Sequence, residues 1–142
     1  MTKLFGSTRD IMYQAAAIAL KKTGAVAEDG TGNCHQLAAE TLVFAWDSLT
    51  KNARSGLRLV EGHVFYPEAG CWSAHSWTEF GERQQYVCDP QTLTIMDTAE
   101  YRAIGNIRNV HSYDYVEMLR MVTSRNHTGP FADELMEDII EK

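Results

Sequence analysis

Residues 71–90, CWSAHSWTEFGERQQYVCDP, read as two extended runs joined by a short connection. Trp, Thr, Phe, Tyr and Val crowd both arms, and Gly81 and Pro90 punctuate them, which is strand composition with turn chemistry at the joint. If Gly81, Glu82 and Arg83 form a three-residue hairpin loop, Phe80 pairs with Gln84 and His75 falls directly opposite Asp89. Opposed residues share a face, with Cβ atoms about 4.5 to 5.5 Å apart, so an imidazole there can meet a carboxylate. A two-residue loop would instead oppose Cys88 to His75 and turn Asp89 to the other face.

Upstream, LRLVEGHVFYP (57–67) has the same character and makes a third strand, so an antiparallel meander is expected. Before it, CHQLAAETLVFAWDSLTK (34–51) lacks Gly and Pro, and Leu37, Ala38, Leu42, Ala45, Trp46 and Leu49 fill a broad apolar stripe. This predicts a buried helix beginning at Cys34. Asn33 suits its N-cap, with Gln36 three residues on, close to a capping box. AEDGTGN (27–33) reads as the loop that delivers the chain to Cys34, and RDIMYQAAAIALKK (9–22) as a first helix stopping before Gly24. Beyond residue 97 the pattern predicts a short helix after Asp97, an edge strand near Ile107 to His111, a helix from Asp114 to Ser124 and a last helix after Pro130. The expected class is α+β, one domain over residues 1–142.

Bulk properties narrow the function. The 142 residues are 44% apolar and 10% aromatic, enough for one core. A net charge of -6 repels phosphate backbones and anionic membranes, so neither nucleic acid nor membrane is an expected partner. No run approaches the roughly 20 apolar residues of a membrane span, and the start lacks a signal-peptide apolar block, which makes the cytoplasm the expected compartment.

Three cysteines, Cys34, Cys71 and Cys88, cannot all pair, and only Cys34 opens a helix. There the unpaired amides and the helix dipole favour thiolate over thiol and can also donate to an oxyanion. Such a thiol needs a base and the base needs orienting, which nominates Cys34, His75 and Asp89 as a triad. Trp77 and Glu79 share the strand face of His75; Trp77 can wall the site, and Glu79 reads as a solvated rim carboxylate. His35 reads as a rim residue, because adjacent helical residues do not face each other. His63, His111 and His127 read as surface or structural histidines.

The run Gly32-Asn33-Cys34-His35-Gln36-Leu37-Ala38 resembles the nucleophile motif of transglutaminase-like proteins. His75-Ser76-Trp77-Thr78-Glu79 resembles their His-x-Trp-x-Glu strand, and Val87-Cys88-Asp89-Pro90 the strand end that supplies the aspartate. The three occur in the family's order over residues 32–90. The resemblance implies a papain-like core, a cysteine helix packed on an antiparallel sheet, and cofactor-free acyl transfer through a thioester. The catalytic residues would be Cys34, His75 and Asp89, with Asn33, His35 and Trp77 near the substrate. The substrate would be a protein, peptide or small amide. His35 stands where the family often has a bulky aromatic, and the 27–33 loop holds no papain-type glutamine. With no EF-hand loop and no room for further domains, a compact hydrolase or deamidase is expected over a cross-linking enzyme. Two rival readings stand beside this one: a non-catalytic peptide or ligand binder on the same fold, and zinc bound by Cys71 and His75 with Cys34 or Cys88.

Overall fold

The structure, a computed structural model, describes residues 3–26 and 32–141; most of the expected 27–33 loop lies outside them. It is an α+β fold with an antiparallel sheet and, among the described residues, five α-helices. Helix α1 (Thr8–Thr23) is fixed at its start by a full capping box between Ser7 and Asp10. Helix α2 runs Cys34–Trp46, shorter than predicted. The chain turns at Asp47 and re-enters a six-residue helix α3 (Lys51–Gly56), where the side chain of Thr50 caps the amide of Ala53.

Strands β1 (Arg58–Tyr66), β2 (Cys71–Phe80) and β3 (Tyr86–Asp89) form the expected meander, and β4 (Thr94–Asp97) extends it. After α4 (Thr98–Ile104), β5 (Arg108–Tyr113) returns to the free edge of β1, giving the order β4-β3-β2-β1-β5. β4 was not expected; four residues, Thr94 to Asp97, carry little pattern of their own and are held by pairing to β3. Helix α5 (Tyr115–Arg125) follows, capped by Asp114 and Glu117.

The helix expected after Pro130 is absent. A 3-10 turn (Asp133–Leu135) leads instead to a two-residue strand β6 (Ile139–Ile140) on Cys71 and Trp72. Glu134, Glu137, Asp138 and Glu141 would stack like charges at helical spacing. Two longer-range ties also fix the segment: the Phe131 amide donates to both carboxylate oxygens of buried Glu61, and Glu141 N donates to Gly70 O at 2.9 Å.

Two apolar clusters lie on the two faces of the sheet. One joins α1 and α2 to Leu57, Leu59, Phe80 and Cys88, with Met118 and Phe131 closing it. The other is Val60, Trp77 and Val87, packed against Tyr101 of α4 and against Val64, Ile107 and Val110. No helix among the described residues is long and apolar enough to cross a membrane.

Candidate active site

Pairing leaves a gap along β2. β3 covers only Thr78, Glu79 and Phe80, and β6 only Cys71 and Trp72, so residues 73–77 have no strand on that side among the described residues. The first turn of α2 comes to this gap. Adjacent residues of the helix meet adjacent residues of the strand: Cys34 and His75 line one cleft, where the imidazole lowers the thiol, and His35 Nδ1 is bonded to Ser76 Oγ. His75 and Ser76 point to opposite faces of the sheet. Cys34 thus arrives from the helical layer, and His75 from the face beneath α4.

The β2–β3 register differs from the expected one. The loop is five residues, Gly81 to Gln85, and the ladder pairs Phe80 with Tyr86 and Thr78 with Cys88. Gly81 (φ 97°) and Gln84 (φ 51°) take the left-handed conformations that shape it, and Gln84 Nε2 ties it to Gly56 O at 3.2 Å. One row further on, Asp89 stands level with Trp77, two residues from His75. A shift of two preserves the face, so the pair is diagonal and still bonds: His75 Nε2 lies 2.8 Å from Asp89 Oδ2. That leaves Nδ1 for the thiol.

Asp89 carries more than the histidine. Tyr101 OH donates to the same Oδ2 at 2.6 Å, and the Gln91 amide donates to Oδ1 at 3.0 Å. Burial raises the Asp89 carboxyl, but His75, Tyr101 and Gln91 outweigh it and hold it below the ordinary 3.8. Burial likewise opposes charge on Cys34 and His75. Hydrogen bonds and charge from His35 and His75 more than offset this and bring the thiol from 9.0 down to about 5. Asp89 and Cys34 in turn lift His75 from 6.5 to about 10. Both shifts favour the thiolate–imidazolium form of the pair. Cys88, buried and bonded only weakly to Met12 O at 3.7 Å, is pushed up to about 12 by burial.

Several expectations are corrected. His35 is a second imidazole that lowers the Cys34 thiol, its ring pinned to β2 by Ser76. Asn33 makes no side-chain capping bond; its Nδ2 donates to Gly24 O at 3.2 Å, so the capping box with Gln36 does not form. Trp77 is fully buried and walls no cleft; it packs against His75 (6.1 Å between ring centroids) and Tyr101 (5.4 Å). Opposite His75 on β1 stands Gly62, where a Cβ would sit 3.3 Å from the Trp77 ring. Glu79 is no rim carboxylate. It is buried, accepts from the Trp77 indole at 2.9 Å and pairs with Arg102 at 2.7 Å. His63 is the structural histidine expected, buried with its ring nitrogens bonded to Glu137 O and Asn109. Sequence reasoning missed Tyr101 and Gln91. Gln91 follows Pro90 directly and was in reach of the motif, whereas nothing local marks Tyr101.

Among the described residues no group of three or more His, Cys, Asp or Glu is placed to hold a metal ion, which removes the zinc set of Cys71 and His75 with Cys34 or Cys88. The Cys34 sulfur opens on a cleft of about 350 Å³, shared with His35, Tyr66, Ser73, His75 and Gln91. A larger hollow of about 520 Å³ between the start of α1 and the β2–β3 loop contains no cysteine or histidine. No family model, curated protein or solved structure matches the chain.

Proposed function

We propose that this chain is a cysteine-dependent amide hydrolase or deamidase with a transglutaminase-like, papain-like core. A cysteine-headed helix against an antiparallel sheet that carries histidine and aspartate supports that reading, as do the three ordered motifs between residues 32 and 90. The observation that carries it is the buried relay Cys34–His75–Asp89, whose thiol is depressed to about 5 while the neighbouring imidazole is lifted to about 10. A surface thiol or a structural one has no need of such a partner set.

The Cys34 thiolate attacks the amide carbonyl carbon, and a C–S bond forms as the carbonyl electrons move to oxygen. The Cys34 amide, without a helical acceptor, is at hand for that oxyanion. As the C–N bond breaks, the imidazolium of His75 gives its proton to the leaving nitrogen. Water then attacks the thioester and passes a proton to His75. The C–S bond breaks, the carboxylic acid departs and the ion pair is restored. Asp89 keeps the imidazole in the required tautomer and stabilises its charged form.

The test is mass spectrometry after exposure to electrophilic amide probes. One adduct on Cys34, lost in Cys34→Ala and in His75→Ala, is expected. Labelling that persists in Cys34→Ala, or spreads evenly over Cys34, Cys71 and Cys88, would remove the nucleophile.

A further inference from the structure

We infer that the substrate presents a leucine- to phenylalanine-sized apolar side chain beside the reactive amide, seated in a second cavity between β1, β4 and α4. The inference rests on the reading of Cys34 as nucleophile and adds the substrate class.

The second cavity, about 290 Å³, shares Tyr66, His75 and Gln91 with the cleft over Cys34, so the two hollows adjoin beside the imidazole. Its walls are Val64, Met96, Ile104 and Ile107 with the ring of Tyr101. Ile104 is 71% exposed, and Val64, Met96 and Ile107 are only half-buried. Apolar side chains that face a hollow beside a reactive group, when a core lies within reach, mark a place where a ligand completes the packing. An apolar cavity of about 150 Å³ already accepts benzene, so this one accommodates a phenyl or isobutyl group.

Charge argues the same way. The carboxylate on the wall is that of Asp89, fully engaged by His75, Tyr101 and Gln91, and the imidazole is engaged by Asp89 and Cys34. A lysine or glutamate side chain entering here would lose water and find no free counter-charge. Thr92 and Thr94 line the same cavity and suit the polar backbone of a peptide-like substrate over its side chain.

The test uses the full chain and chloromethyl ketones of N-acetylated alanine, leucine, phenylalanine, lysine and glutamate. The rate of adduct formation on Cys34 is divided by the iodoacetamide rate on the same thiol. Leucine and phenylalanine probes should exceed alanine by about tenfold or more, with lysine and glutamate below alanine. Ile104→Lys and Met96→Ala should each shrink the leucine advantage while leaving the iodoacetamide rate unchanged, and Ile104→Lys should speed the glutamate probe. A flat series, or a leucine advantage untouched by both variants, would overturn the inference while leaving the nucleophile in place. Iodoacetamide that fails to select Cys34 would overturn both together.

Discussion

Tyr101 and His75 donate to one and the same oxygen of Asp89, at 2.6 and 2.8 Å. A carboxylate so placed is fixed in direction as well as charge, because α4 and β2 hold it from two sides. The orientation of the imidazole, and through it the state of the thiol, therefore depends on a phenol in a helix remote from the cysteine.

Replacing Tyr101 by Phe removes one hydrogen bond to a charged group, worth about 1.5 to 3 kcal/mol at neutral pH. The Asp89 carboxyl is held below 3.8 in the folded chain, so its stabilising contribution is present above 3.8 and is lost as pH falls through the folded value. The gap in unfolding free energy between native chain and Tyr101→Phe should thus stay constant above pH 4 and narrow below it. Urea titrations between pH 7 and 3 measure this; a gap that persists in acid would show that the phenol acts by packing alone.

The thiolate should be formed over an unusual pH range. With Cys34 near 5 and His75 near 10, the iodoacetamide rate rises around pH 5 and is level through neutrality. His75→Ala should move the rise toward the ordinary thiol value of 9.0. A native rate still climbing through pH 8 would contradict the ion pair.

His35 should share the work. Its ring is the first of the two imidazoles that lower the thiol, and Ser76 anchors it. His35→Ala should therefore raise the midpoint of the alkylation profile at least as much as His75→Ala does, and Ser76→Ala by less. No shift in His35→Ala would leave it a wall of the cleft.

The parts of this site legible in the sequence were those written locally. A helix headed by Cys34, the strand pair on either side of Gly81 and the shared face of His75 and Asp89 follow from spacing and residue type. The register did not, because the ladder is set by a five-residue loop whose shape depends on Gln84 at φ 51° and its bond to Gly56. Face parity survived the error since the slip was two residues. Tyr101, the buried state of Glu79 and the return of residues 139–140 to β2 are products of long-range packing. Their partners lie 12, 23 and about 70 residues away in the chain.

Glu79 offers the sharpest separation of scaffold from chemistry. It lies four residues beyond His75 on the same strand face, is 3% exposed, and receives both the Trp77 indole and the Arg102 guanidinium. Loss of one partner from a buried ion pair costs about 3 to 5 kcal/mol; with the Arg102 side chain 36% exposed to solvent, the lower end applies. Glu79→Gln should keep the indole bond, weaken the pair and cost less than Glu79→Ala. The carboxylate touches neither thiol nor imidazole in this arrangement. Both variants should therefore lower the urea midpoint while the alkylation profile of the still-folded protein keeps its rise near pH 5. A profile displaced in Glu79→Gln would mean that Trp77 passes the change to the His75 ring 6.1 Å away, making Glu79 a positioning residue of the site.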